Sequence, residues 1–276
     1  VRWEVGTLAA QLLGWRPSAV RTLSERDDKG IYELDGPAGP LIAKLSADPA
    51  ALAREVEFQE MARDAGVPVA PVVAVRVEEP ALMVMGKVAG SPLSSPATAA
   101  TEAGRHLRTF HELRPDRAAA GDGLGWGTRV ARTAERHLAY LLEVGLVPAP
   151  DGERLLRRFE ELIPDLDARP VSLLHGDLYP DHVLTDPDGT HVRAFLDFGD
   201  VRLGDAALDV ALLSLDDEDV LDPLLDGYTT SPAERADLAE LLPAYRLLCH
   251  LGAVHASHRL GLPASASHAA VGAALS

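Results

Sequence analysis

His175-Gly176-Asp177-Leu178-Tyr179-Pro180-Asp181-His182, followed after one short strand-turn-strand stretch by Asp197-Phe198-Gly199, decides how this chain reads. An aspartate on a loop that leaves a buried strand can orient a hydroxyl and take up its proton. Val171-Ser172-Leu173-Leu174 supplies such a strand ahead of Asp177. Further along the loop, His182 can turn back towards a metal ion. Asp197 ends the strand Arg193-Ala194-Phe195-Leu196 and can hold that ion against phosphate oxygens. A base, a metal clamp and a nearby acceptor are the parts that phosphoryl transfer requires. Singly, each aspartate would be an ordinary loop-capping or turn-forming residue. Their pairing favours the chemical roles.

The spacing is that of the pattern H-R-D-x-x-x-x-N followed by D-F-G. Gly176 replaces the arginine and His182 stands in the asparagine position. Imidazole nitrogen is softer than an amide oxygen and suits Zn²⁺, Mn²⁺ or Cu²⁺ better than Mg²⁺. The position still predicts His182 and Asp197 as metal ligands; the alternative is a loop histidine that touches backbone or phosphate.

Working outward, residues 4–14 read as a helix with Leu8, Leu12 and Leu13 on one face. Three strands are expected over 18–46, separated by the turns Asp27-Asp28-Lys29-Gly30 and Asp35-Gly36-Pro37-Ala38-Gly39-Pro40. Alternation in Leu41-Ile42-Ala43-Lys44-Leu45 puts Lys44 on one face. A helix over about 49–64 offers Glu55 to hold that lysine, with Glu57 and Glu60 as rivals. The segment Ser24 to Gly30 has a single glycine and would cover phosphates only loosely. Ser24 in it and Met85, at the end of the last of two strands over 72–77 and 81–85, are the other expected nucleotide contacts. Gly86 to Pro96, rich in Gly, Pro and Ser, marks a hinge. Helices follow at about 97–113, 127–145 and 151–163. After the catalytic segment (171–200) they resume at 205–215, 217–227, 232–242 and 243–260. The expected organisation is a small lobe over 1–86, which binds nucleotide, and a larger one over 87–276, which carries the catalytic loop, metal site and substrate-binding helices.

Composition narrows the class. The chain has 276 residues, a formal net charge of -16 and one cysteine. That acidity argues against nucleic acid, which selects basic surfaces. A single cysteine excludes an intrachain disulfide framework. No apolar run is long enough to span a bilayer, and the first residues lack a signal-peptide layout. A cytoplasmic protein with no membrane partner is expected. Asp197, Asp200, Asp205, Asp209, Asp216, Asp217, Glu218, Asp219, Asp222 and Asp226 crowd one stretch. They are either a solvated surface or a field that attracts a small cationic substrate. The remaining histidines show no H-E-x-x-H spacing, and Trp3, Trp15 and Trp126 read as packing residues, the last near a possible cleft mouth.

With Lys44, Arg54-Glu55 before Ala65-Gly66-Val67-Pro68, Ala89-Gly90-Ser91-Pro92-Leu93, Leu107 to His111, His175-Gly176-Asp177, Leu196-Asp197-Phe198-Gly199-Asp200 and Gly204-Asp205 through Asp209, the chain resembles the aminoglycoside phosphotransferase family over about residues 20–260. The resemblance implies an α+β, bilobal protein-kinase-like fold, with a five-stranded antiparallel N-lobe and a mainly helical C-lobe. It implies Asp177 as base, Asp197 and His182 as ligands of Mg²⁺ (or Mn²⁺), Lys44 as phosphate contact with Glu55 as its partner, and Asp209 as a structural residue beneath the loop. His182 is similar to the histidine of macrolide phosphotransferases, where GTP is often the donor, so ATP and GTP both stay open. The expected activity is transfer of a γ-phosphate to a hydroxyl of a small cationic natural product, with an antibiotic the leading candidate. The alternatives are a choline, homoserine or sugar kinase of the same fold and a catalytically silent ligand-binding relative.

Overall fold

In the strand Ala81–Gly86, alternate side chains enter two different cores: Leu82 and Val84 one, Ala81 and Met83 the other. A strand buried on both faces needs a helix on each side, and the sequence supplies both. The computed structural model describes residues 4–26, 28–94, 98–115, 123–215, 217–263 and 265–275. Asp27, Pro96, Asp216 and Trp3, named above, lie outside the described residues.

Helix α1 (Val5–Leu13) is followed by β1 (Val20–Glu25), β2 (Lys29–Gly36), β3 (Gly39–Ser46), α2 (Pro49–Asp64), β4 (Val72–Arg76) and β5 (Ala81–Gly86). The strands form one antiparallel sheet in the order β1-β2-β3-β5-β4. Val5 and Ala9 of α1 pack on Tyr32, Leu34, Ala43 and Leu45. Burial of each valine or leucine among them contributes about 1.5–3 kcal/mol. Helix α2 covers the other face. It starts at Asp48, whose carboxylate accepts from the amides of Ala50 and Ala51 at 2.9 and 3.0 Å. Leu52, in its first half, belongs to the small-lobe core, whereas Phe58 and Ala62 join the large one. Glu55 therefore sits where the helix passes from one core to the other.

The second lobe holds α3 (Thr98–His111), α4 (Trp126–Glu143), α5 (Ala149–Glu161), α6 (Ile163–Asp167), α7 (Ala207–Leu213), α8 (Glu218–Tyr228), α9 (Pro232–Leu260) and α10 (Ser265–Leu275). In the hinge, Ser91–Pro92 forms a short strand, β6. Between the helices, β7 (Ser172–Leu174), β8 (Val183–Thr185), β9 (Val192–Phe195) and β10 (Arg202–Gly204) carry the catalytic segment. β6 pairs with β8, which ties part of the hinge to the catalytic sheet. β8 also pairs with β9, and β7 pairs instead with β10, a strand that the sequence reading did not anticipate. A further difference concerns proline. The expected break at residue 243 does not occur: α9 runs through Pro243, because Leu241, Leu242, Tyr245 and Leu248 bury a continuous stripe on either side of it. Packing here outweighs the one hydrogen bond that proline removes. Among the described residues no helix is long and apolar enough to cross a membrane.

Candidate active site

Period-2 alternation in β3 buries Ala43 and Leu45 against α1 and turns Lys44 to the α2 face. Its ammonium lies 2.6 Å from Glu55 Oε1 and 2.7 Å from Asp197 Oδ1. Of the three candidate glutamates, Glu55 is the buried one; Glu60 pairs with Arg63 and Glu57 lies outside the core. Burial by itself would lower the lysine's pKa, but the two carboxylates hold it above its ordinary value, so Lys44 stays charged. Burial likewise pushes Asp197 up, and the Lys44 charge more than offsets it, keeping the carboxyl below the usual range.

Asp197 is the one non-glycine residue with positive φ among the described residues, at 63°. An L-residue in this region carries a modest steric cost, which aspartate tolerates better than most. Phe198 fixes the turn from beneath, with its ring 5.6 Å from Phe110 and 5.1 Å from His175. At Gly199 a Cβ would stand 3.2 Å from Asp197 Oδ1 and 3.4 Å from Glu55 Oε2, so glycine keeps the space in front of the carboxylates open.

The Asp177 loop hangs from a buried anchor. Asp209, fully enclosed in α7, accepts from the amides of His175 and Gly176 at 2.7 and 2.9 Å and meets His111 Nε2 at 2.9 Å. His111 continues to the Tyr228 hydroxyl at 2.8 Å. Burial would raise the Asp209 carboxyl; these contacts hold it below its ordinary value. Gly176 takes φ 83°, and a Cβ there would stand 2.3 Å from the Asp200 carbonyl oxygen. That close approach explains why no arginine can occupy the position. Arg202 comes in from β10 instead and donates to the Gly176 carbonyl at 2.8 Å.

Asp177 is partly exposed, and burial chiefly raises its pKa above the ordinary carboxylate value. His182 Nδ1 donates to the Asp177 carbonyl at 2.6 Å, which fixes the tautomer and leaves Nε2 as a lone-pair donor. The Leu196 amide donates to the His182 carbonyl at 2.9 Å, tying this loop to the strand end that carries Asp197.

Three hollows meet at these residues. An apolar slot of about 280 Å³ lies between Ile31 and Ile42 above and Leu184 and Leu196 below; Met85, Lys44, His182 and Asp197 also line it. A second, of about 260 Å³, is bordered by Ser24, Lys44, Asp177, Asp197 and Gly199. The third, of about 450 Å³, opens on the other side of Asp177 between α4, α7 and α9. All seven residues expected from the sequence therefore border one connected region. Among the described residues no three His, Cys, Asp or Glu side chains gather into a closed metal cage. His182 and Asp197 both line the slot. A carboxylate and an imidazole in an open site fit Mn²⁺ by ligand type and Mg²⁺ by leaving room for water and phosphate oxygens.

The sequence profile of the phosphotransferase enzyme family matches residues 21–248. The chain belongs to that family. Its fold is similar to a thermostable variant of the aminoglycoside phosphotransferase APH(4)-Ia in ternary complex with ADP and hygromycin B, at TM-score 0.71 and 15% identity over 99% of this chain and 98% of that one. An aminoglycoside-3'-phosphotransferase of type VIII is 25% identical, with TM-score 0.55 over 86% and 97% of the two chains. A protein assigned as a fructosamine-3-kinase, from Thermobifida fusca, is 21% identical, with TM-score 0.65 over 97% and 98%. The bilobal kinase-like fold and a kinase-type phosphotransferase follow.

Two features of this phosphotransferase go beyond the sequence reading. Of the two readings of the acidic stretch, the solvated surface fits most of it: among the described residues none beyond Asp197 lines the 450 Å³ cavity, although Asp200 borders the pocket that holds Lys44 and Asp197. Asp205 pairs with Arg169, Asp209 is the buried anchor, Asp217 caps α8, and Asp222 and Asp226 hold Arg235. Nearness in sequence failed as a guide because α7 dives into the core and carries the chain away from the cleft. Conversely, Arg202 and an arginine row on α4 went unnoticed, although residues 129, 132 and 136 share one helical face by spacing alone. Trp126 is more than packing: it lines the cavity, and its Nε1 donates to the Tyr245 hydroxyl at 2.7 Å.

Proposed function

We propose that this chain is a nucleotide-dependent O-phosphotransferase in which Asp177 is the base. One observation carries the reading: Asp177 borders both the pocket that contains Lys44 and Asp197 and the separate cavity behind it. A carboxylate at that junction stands between a donor phosphate on one side and an acceptor hydroxyl on the other, the in-line arrangement that phosphoryl transfer needs.

The base of ATP or GTP would occupy the apolar slot beside Met85, with its phosphates running past Ser24 towards Lys44. Glu55 aims the lysine and keeps it charged. Mg²⁺ or Mn²⁺, held by Asp197 and His182 Nε2, would neutralise phosphate charge when bound. Asp177 orients the acceptor hydroxyl and accepts its proton as the new P–O bond forms; its raised pKa helps it to take up that proton. A nucleotide requirement accords with a cytoplasmic setting. The hygromycin B complex and the protein assigned as a fructosamine-3-kinase among its structural neighbours support an antibiotic or a metabolite as the source of the acceptor hydroxyl.

The test is transfer of label from γ-labelled ATP and GTP to a panel of hydroxylated acceptors, with Asp177→Ala alongside. Label transfer should vanish in the variant while thermal stabilisation by Mg·ATP remains. Undiminished transfer by Asp177→Ala would remove the mechanism.

A further inference from the structure

The cavity behind Asp177 has the wrong charge for a polyamine. In a chain with 42 acidic and 26 basic residues, the described part of its wall carries Arg129, Arg132, Arg136 and Arg202 together with the carboxylate of Asp177, and Arg129 is already partnered. Three of the four come from one face of α4, at i, i+3 and i+7, so they rise along the wall over about 10 Å. The opposite face of α4, Val130, Ala134, Leu138 and Leu141, is buried in the core, which fixes the direction of the row. Arg202 is pinned beside the catalytic loop by its bond to the Gly176 carbonyl.

The arrangement is not explained by helix stability. Like charges at i, i+3 and i+4 repel one another, and salt bridges would relieve them. Arg132 and Arg136 make no ion pair among the described residues, and neither carries a hydrogen bond to a neighbour there. Elsewhere the acidic chain pairs its arginines: Arg169 with two aspartates, Arg235 with two more, Arg108 with two glutamates. The floor of the cavity is apolar, built from Leu208, Leu212, Leu248 and Cys249.

We infer that the acceptor carries an anionic group, a carboxylate or a phosphate, which the arginine row of α4 binds while its hydroxyl meets Asp177. This rests on the phosphotransferase reading and narrows its substrate class. The anion would sit beside Arg132 and Arg136, the body of the molecule over the leucines, and the reacting hydroxyl between Arg202 and Asp177. Such a wall rejects aminated sugars by like-charge repulsion and by leaving guanidinium groups unpaired. Arginine suits this role because its planar fork binds carboxylate and phosphate oxygens in pairs.

The experiment uses four hexoses that share hydroxyls and differ in charge: glucose, glucosamine, glucuronate and glucose 6-phosphate. Binding to the full chain saturated with Mg²⁺ and a non-hydrolysable ATP analogue is measured by calorimetry. An anionic hexose should bind about tenfold or more tighter than glucose or glucosamine, and the preference should shrink as salt is raised. Which of glucuronate and glucose 6-phosphate wins tells carboxylate from phosphate. Arg132→Gln/Arg136→Gln should erase the preference while leaving thermal stability and nucleotide affinity unchanged, since both side chains are exposed. Equal or tighter binding of glucosamine, no saturable binding of either anion, or an undiminished preference in the double variant overturns the inference. None of those results touches the phosphotransferase reading, which stands or falls with Asp177→Ala and label transfer.

Discussion

The two sides of Asp177 are built on opposite principles. On the donor side, charges of opposite sign interlock: Lys44 bridges Glu55 and Asp197 across both lobes. On the acceptor side, charges of one sign line up along α4, and Arg132 and Arg136 have no protein counter-ion among the described residues. A satisfied network holds its shape before a ligand arrives and so supplies preorganisation. Guanidinium groups without a counter-ion, as at Arg132 and Arg136, store attraction for a ligand of the opposite sign and so supply selection. The loop between them needs neither; it is held from beneath by Asp209.

The largest expected effect separates chemistry from binding. Asp177→Asn should lower kcat by about 10³-fold, the scale of a lost general base, while nucleotide and acceptor still bind. Steady-state kinetics with calorimetry on the same variant checks this, and loss of both affinities would mean that the two sides are not independent. Next in size, Asp209→Ala leaves the His175 and Gly176 amides and His111 without their acceptor. It should cost about 3 kcal/mol in urea unfolding with an unchanged m value. A loss below half that would show that the loop has another anchor.

Lys44→Met sharpens the contrast from the donor side. It should weaken Mg·ATP binding or lower kcat by about ten- to a hundredfold, since charged hydrogen bonds contribute about 1.5–3 kcal/mol. Anion binding in the other cavity should stay as it was. The smallest effect concerns His137, which follows Arg136 on the cavity wall. Burial, Arg136 and His255 together push its pKa down to about 4. The unfolded chain therefore takes up that proton first as pH falls below about 6.5. The contribution to stability is whole above that pH and declines between about 6.5 and 4. His137→Gln should flatten the pH dependence of Tm in this window by an amount worth about 1 kcal/mol, discounted for partial exposure. An unchanged slope would place the histidine in a more solvated setting than its contacts imply.

That Lys44, Glu55, Asp197 and the Asp177 loop come together was legible in the sequence because the parts are local. Alternation in β3 turned Lys44 to one face, the capped start at Asp48 set the phase of α2 and hence of Glu55, and the loop spacing gave Asp177, His182 and Asp197. The choice of Glu55 over Glu57 and Glu60 was not local. It depended on α2 passing between two cores. The two readings of the acidic stretch could not be separated for the same reason: its residues are neighbours along the chain, and partners such as Arg169, Arg235 and His111 come from elsewhere.

The sequence by itself determined the two-lobed kinase-like fold and the loop that carries Asp177. Periodicity, turn chemistry and motif spacing all act within a few residues, and that range is enough. Tertiary structure alone decided the character of the acceptor side. Only the packing of α4 and α7 on α9 brings the arginine row round to the cavity of Asp177 while carrying the acidic residues from Asp205 onward away from it. Charge acts through space across a cavity, and sequence order does not measure that distance.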